Sequence, residues 1–217
     1  MVDLITGLRA ETVRANLQRV RTEIAEAGRD PESVQILAAV KYVPVDELGV
    51  LAEAGLTMVG ENRAQDLVSK AEAYPGIFTW DFIGHLQSRK VRQLLPHVRY
   101  IETVASDSAL EQLGRHGEPS TEILVEVNAA GEEGKSGIAA GELPGFLERC
   151  PVKVVGLMTM PPLAPEPEAS RPYFAALREL ASDHNLPHLS MGTSQDYLVA
   201  VQEGATIIRL GTGLYRS

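Results

Sequence analysis

Lys41 closes an apolar run, Ile36-Leu37-Ala38-Ala39-Val40, and the turn pair Val43-Pro44 follows two residues later. A short run bounded by turn signals reads as a buried strand of a parallel sheet. Its last residue then sits at the strand's carboxyl end, where α/β proteins bind ligands. A lysine there is desolvated on one side, which lowers its amine pKa and suits it to Schiff-base chemistry. The plainer role is a strand-end lysine with its head in water. Arg209 interrupts a second apolar run, Thr206–Thr212. Burying it is expensive unless it is paired or bonded to a ligand. Two roles are open: an ion pair with Glu61 or another barrel carboxylate, or donation to a ligand's acceptor. Two further segments, Ser190-Met191-Gly192-Thr193-Ser194 and Arg209-Leu210-Gly211-Thr212-Gly213, offer small residues, hydroxyls and backbone N–H groups suited to an anion. Ser194 as a helix cap, with Gly211 and Gly213 allowing close packing, is the structural alternative.

These residues need elements to position them. Leu8, Val13, Leu17, Val20 and Ile24 recur near helical spacing until Gly28 and Pro31, which predicts an N-terminal amphipathic helix. Eight apolar runs follow: Gln35–Lys41, Met58–Asn62, Trp80–His85, Tyr100–Val104, Thr121–Asn128, Lys153–Met160, His188–Gly192 and Thr206–Thr212. Between them lie helical patterns at Asp46–Ala54, Ala64–Ala73, Arg89–Leu94, Asp107–Arg115, Glu142–Arg149, Glu168–Asp183 and Gln195–Gln202. Asp46 and Asp107 read as N-caps, and Gly55 and Gly204 as stops. The fold class is therefore α/β: a single (β/α)8 TIM-type barrel with an additional N-terminal helix, spanning residues 1–217 as one domain. A doubly wound open sheet is the runner-up, since alternation alone does not show closure. In a barrel the polar strand ends share one face. They include Gly60-Glu61-Asn62, Gly84-His85-Leu86-Gln87, Asn128 with the Gly134-Lys135-Ser136-Gly137 loop, and Met158-Thr159-Met160.

Composition narrows the class further. The 217 residues are 44% hydrophobic and 23% charged, enough for a large core. A net charge of −9 argues against nucleic acid or an anionic membrane as partner. The single cysteine, Cys150, excludes an internal disulfide and a cysteine-rich metal site and fits a reducing cytosol. Met1-Val2-Asp3-Leu4 lacks a secretory pattern, and no apolar stretch reaches the length of a membrane span. A cytoplasmic protein without a metal is expected.

A Schiff-base lysine, a phosphate cup and a buried arginine together suggest pyridoxal 5′-phosphate. The chain resembles the pyridoxal phosphate homeostasis proteins, whose fold is similar to the barrel domain of alanine racemase. The segments that carry the resemblance run in order along nearly the whole chain. They are Ala39-Val40-Lys41, Gly60-Glu61-Asn62, Phe82-Ile83-Gly84-His85-Leu86-Gln87, Lys135-Ser136-Gly137, Gly156-Leu157-Met158, Leu189-Ser190-Met191-Gly192 with Ser194 and Asp196, and Arg209-Leu210-Gly211-Thr212. The resemblance implies that Lys41 holds the cofactor as a Schiff base. It places the phosphate with Ser190, Gly192, Ser194, Gly211 and Thr212, sets Arg209 against the pyridine nitrogen, and has Asn62 and Met158 border the ring. It further implies a monomer engaged in vitamin B6 homeostasis, with no established reaction. Departures are modest: Arg89 stands at a usually amidic position, Thr193 at a frequent methionine, and the end Leu214–Ser217 is short.

An arginine cannot surrender its proton to the pyridine nitrogen, so the ring is a weaker electron sink than with a carboxylate partner. The chain ends soon after its last strand, so the domain that supplies a racemase's second base is expected to be missing. A carrier or buffer without catalytic residues that passes the cofactor to apo-enzymes as transient partners is the leading expectation, with Lys135 as a second amine for that handover. The alternatives are a racemase-like or transaminase-like enzyme using Lys41 with His85 or Tyr42, and a barrel isomerase of sugar phosphates.

Overall fold

Hydrophobic periodicity places the first helix well. α1 (Ala10–Glu26) buries Val13, Leu17, Val20 and Ile24, one face at helical spacing, and Gly28 turns the chain away at φ +84°. These positions belong to a computed structural model that describes residues 4–132 and 134–216. The opening Met1–Asp3 and the last residue of the Leu214–Ser217 end lie outside the described residues.

After α1 the chain alternates strand and helix: β1 (Gln35–Ala39), α2 (Leu48–Glu53), β2 (Met58–Glu61), α3 (Ala64–Ala73), β3 (Thr79–Phe82), α4 (Val91–Leu94), β4 (Tyr100–Val104) and α5 (Asp107–His116). It continues with β5 (Glu122–Glu126), α6 (Leu143–Arg149), β6 (Lys153–Met158), α7 (Arg171–Asp183), β7 (His188–Thr193), α8 (Tyr197–Gln202), β8 (Ile207–Leu210) and α9 (Thr212–Tyr215). All neighbouring strands run parallel, and β1 pairs with both β2 and β8, with Leu37 opposite Arg209. The sheet is closed, which decides for the barrel over the open sheet. Among the described residues no helix is long and apolar enough to cross a membrane.

The expected strands begin close to where they are found and generally run too far at their carboxyl ends. β1 stops at Ala39, and a turn closed by the Val43 N–H to the Val40 carbonyl carries Lys41 clear of the ladder. β8 stops at Leu210, and Gly211 opens the unexpected α9. The N-caps also differ from expectation. Ser106, not Asp107, caps α5 by accepting from the Ala109 N–H, and Asp46 lies inside a 3₁₀ turn, Val45–Glu47.

Two apolar layers result. A large one lies between the strands and the surrounding helices; a small one, built on Leu37, Tyr100, Leu124, Val155, Met158 and Ile207, fills the barrel interior. Strand alternation puts Ile207 and Arg209 on the same, inward face. Asp81, Glu102, Ser190 and Arg209 are all buried. Phe174 of α7 is fully buried in the outer layer. Phe174→Ala should cost about 3–5 kcal/mol, read as a lower urea midpoint at unchanged slope.

Candidate cofactor site

A cavity of about 300 Å³ opens at the carboxyl ends of the strands. That is within the size range of small-molecule sites, and it lies on the face where barrels carry their chemistry. Lys41, Asn62, Ser194, Arg209, Gly211 and Thr212 all line it. These six come from β1, β2, β7 and β8 or the turns just beyond them, so closure of the barrel is what assembles them.

Lys41 is exposed at the mouth rather than half-desolvated, with Nζ 4.9 Å from the centre of the Tyr42 ring. Its backbone is anchored from below. Lys70 of α3 donates to the Val40 carbonyl at 2.8 Å and to Glu61 Oε2 at 2.6 Å, and both side chains are buried. The other oxygen of Glu61 accepts from the N–H groups of Asn62 and Arg63. One ion pair thus holds the last residue before Lys41, the end of β2 and the entry to α3.

Glu61 is therefore committed elsewhere and does not pair with Arg209. The Arg209 guanidinium is 4% exposed and donates to Ser190 Oγ at 2.6 Å and to the Thr159 carbonyl at 2.9 Å. Its carboxylate neighbour is Glu102 at 4.0 Å. Burial draws its pKa down while Glu102, Asp196 and Glu126 support its charge. Arg209 thus lines the cavity above and is anchored by hydrogen bonds to Ser190 and Thr159 beneath.

The two loops expected to hold an anion are joined to each other. Ser194 Oγ accepts from the Gly211 N–H at 3.2 Å, so Ser194 staples the β7 loop to the β8 loop and does not cap α8. Asp196 shapes the first loop by accepting from Thr193 N–H at 2.7 Å, from Thr193 Oγ1 and from Ser170. A Cβ on Gly211 would meet nothing within 4 Å, so this glycine faces open space rather than a packing partner. Asn62 Oδ1 is buried without a hydrogen-bond partner among the described residues. Open room beside Gly211 and an orphaned acceptor on the wall are features that a bound polar molecule would complete.

Three expected contacts lie off the cavity wall. Met158 packs in the barrel interior, and Met160, two residues on, lines the cavity with its sulfur 3.3 Å from Arg209. Ser190 lies below, between Arg209 and Glu102. Gly192 (φ +92°) lets β7 approach α8, since a Cβ there would crowd Ala200 and Tyr197. His85 is exposed beside a neighbouring depression that shares Asn62. Asn128 bonds the Glu132 backbone, and Lys135 faces Glu132 at 3.6 Å from an exposed loop position. A larger cavity, about 500 Å³, opens at the opposite pole and is lined by none of these residues. Glu102 and Lys70 escaped the sequence reading. The signal for Glu102 was available, a carboxylate inside an apolar run, the same kind that marked Arg209.

Residues 8–217 match the family described as alanine racemase, N-terminal domain, which sets the class of barrel to which the fold and site correspond. The pyridoxal phosphate homeostasis protein of Aquifex aeolicus is 39% identical over 213 residues, covering 92% of this chain and 93% of that one. That of Pseudomonas aeruginosa is 36% identical, covering 95% and 94%. The structure of PipY from Synechococcus elongatus with PLP bound superposes with a TM-score of 0.79 at 30% identity, over 94% of this chain and 100% of that one. This chain belongs to the pyridoxal phosphate homeostasis protein family.

The buried pair below Lys41 has a measurable consequence. Lys70→Met leaves Glu61 charged and buried without its ammonium partner, which should cost about 3 kcal/mol. Urea unfolding at pH 7 measures it; an unchanged midpoint would mean that the N–H donors alone satisfy Glu61.

Proposed function

We propose that this protein binds pyridoxal 5′-phosphate in the cavity at the carboxyl ends of its strands, covalently and reversibly through Lys41. It thereby serves intracellular vitamin B6 homeostasis as a carrier and buffer. The observation that carries the reading is the meeting of Lys41, Arg209 and the stapled Ser194–Gly211 loops on one cofactor-sized cavity. The residues fit the group: a primary amine, a fixed cation, hydroxyl and N–H donors, and the orphaned Asn62 acceptor. When bound, the cofactor supplies an aldehyde that condenses with a primary amine and a ring that draws electrons from it. Relatives named for pyridoxal phosphate homeostasis, and a neighbour solved with PLP, support the assignment.

Each residue then has a task. Lys41 provides the amine from an exposed rim position, where both entry and release are open. Ser194 and Thr212 would donate their hydroxyls to the phosphate, and Gly211, its N–H held by Ser194, would leave room for it. Arg209 would donate to the ring nitrogen while keeping its own proton. Asn62 would border the ring, and Met160, which lines the cavity where Met158 does not, would supply an apolar wall. A nitrogen facing a guanidinium is not protonated by it, so the site favours holding the cofactor over stabilising carbanions. We place the protein in the cytoplasm as a monomer that passes the cofactor to apo-enzymes. A second reading, a racemase-like or transaminase-like enzyme, draws on Tyr42, whose ring lies beside the Lys41 ammonium in the same cavity. Amino-acid turnover by the loaded protein that is lost in Tyr42→Phe would favour it.

The test is the absorption spectrum of the protein incubated with pyridoxal phosphate, then borohydride reduction and peptide mass mapping. The adduct should map to Lys41, and Lys41→Ala should lose the visible band while retaining weak, phosphate-anchored binding. A band fully retained in Lys41→Ala would overturn the assignment. Ser194→Ala and Thr212→Val should each weaken affinity about tenfold, the loss of one hydrogen bond to a charged group. Unchanged affinity in both would move the phosphate elsewhere.

A further inference from the structure

The barrel axis below the cavity holds more polar chemistry than binding requires. Starting at the far pole, Gln35 accepts from Arg99 at 2.8 Å, and Arg99 forms a two-pronged ion pair with Asp81. Asp81 and Glu102 are buried neighbours on β3 and β4, and each shifts the ionisation of the other. Glu102 Oε2 accepts from Ser190 Oγ at 2.6 Å, and Ser190 Oγ accepts from Arg209 at 2.6 Å. Asp81, Glu102 and Ser190 have no measurable exposure. Glu102 Oε1 has no N–H or hydroxyl donor among the described residues. Two neighbouring carboxyl groups in a dry interior hold one proton between them well above the ordinary carboxyl range, since the first ionisation opposes the second. Asp81 has the Arg99 guanidinium and the Tyr100 N–H to hold its charge. Glu102 has a hydroxyl and a guanidinium 4.0 Å away. The proton therefore belongs to Glu102.

The geometry points to Glu102 as the positioning residue for Arg209: through Ser190 it fixes the guanidinium under the cavity. The proton it shares with Asp81 sets how much positive charge that guanidinium presents to a ligand. With Glu102 neutral, the axis holds two cations, Arg99 and Arg209, against one anion, Asp81. When Glu102 releases its proton to solvent, the array becomes neutral and Arg209 acquires a full counter-ion. The other titratable or charged groups near this axis are Glu126 at the end of β5 and Asp196, committed to Thr193 and Ser170, on the cavity side, and His188, Glu122 and Lys153 toward Arg99 and Asp81 at the far pole. Leu37, Val155 and Met158 complete its surroundings as apolar neighbours. Burial, then the charge of Asp81, push the Glu102 carboxyl up to about 8, which puts the change within reach of ordinary buffers. The link to a bound ring rests on the cofactor reading above; the link between Glu102 and Arg209 does not.

The Arg209 Nε–H resonance of the ligand-free protein is the direct readout, followed from pH 6 to pH 9.5. It should move with a midpoint near 8 in the wild type. In Glu102→Gln it should stay at its low-pH position, because the amide is neutral and accepts from Ser190 as the protonated acid does. In Glu102→Leu it should be displaced at every pH. The same step should appear in the visible band of protein loaded with pyridoxal phosphate and vanish in Glu102→Gln. Stability supplies an independent check. A carboxyl raised in the folded state contributes fully below its unfolded value and loses that contribution as pH rises through its folded value. The advantage of Glu102→Gln over wild type should therefore grow between pH 5 and pH 8 and level off above. A titration that persists in Glu102→Gln, or a resonance identical in wild type and Glu102→Leu, overturns the proposal. Wild-type protein that takes up no pyridoxal phosphate overturns the cofactor reading alone, since the ligand-free resonance still decides the role of Glu102.

Discussion

A guanidinium buried in the axis of a closed barrel is the constraint around which this molecule is arranged. Arg209 has given up water almost entirely, and desolvating a cation costs several kcal/mol unless hydrogen bonds and opposite charge replace what is lost. The replacement comes from four strands and their ends: Ser190 on β7, Thr159 after β6, Glu102 on β4 and, behind it, Asp81 on β3. An apolar interior layer of Leu37, Leu124, Met158 and Ile207 surrounds this polar column and raises the energetic stakes of every bond in it. The cavity floor is thus a charge that the fold itself has prepared, and the ligand-facing part of the site inherits its position from the far side of the barrel.

The rim is held by a second buried pair and by close backbone approaches. Lys70 and Glu61 tie α3 to the carbonyl just before Lys41, so the Lys41 side chain, itself exposed, extends from a fixed base. At Gly84 the chain passes so near the Asn62 carbonyl that a Cβ would overlap it, which keeps Asn62 at the cavity wall. The Ser194–Gly211 bond joins the last two strand loops into one cup. Floor and rim are thus held by buried bonds while the mouth of the cavity stays open.

Much of this was legible along the chain, and the limits have physical causes. Helix α1 and the strand–helix alternation follow from burial of one face at a fixed period, a local property. Strand ends did not follow, because hydrophobicity continues past the point where a turn bond, such as Val43 to Val40, takes the chain off the ladder. Met158 and Met160 are indistinguishable by type and spacing, and only the end of β6 at Met158 leaves one inside the barrel and the other beyond the strand at the cavity. Lys70 reads as the surface charge of a helix until β1 and β2 bring Val40 and Glu61 beneath it.

What the sequence by itself determined was the kind of fold and the chemical types gathered at its carboxyl face: an amine, a guanidinium, hydroxyls and small residues at strand ends. These depend on periodicity and on a topology rule that puts every strand end on one side. Which charge answers which was decided only by the tertiary structure. Arg209 pairs toward Glu102 and Lys70 toward Glu61 because barrel closure brings β8 against β1 and points residues of β3, β4, β7 and β8 at one axis. Electrostatic partnership depends on distances of a few ångströms across residues up to 107 positions apart, and no local pattern encodes those distances.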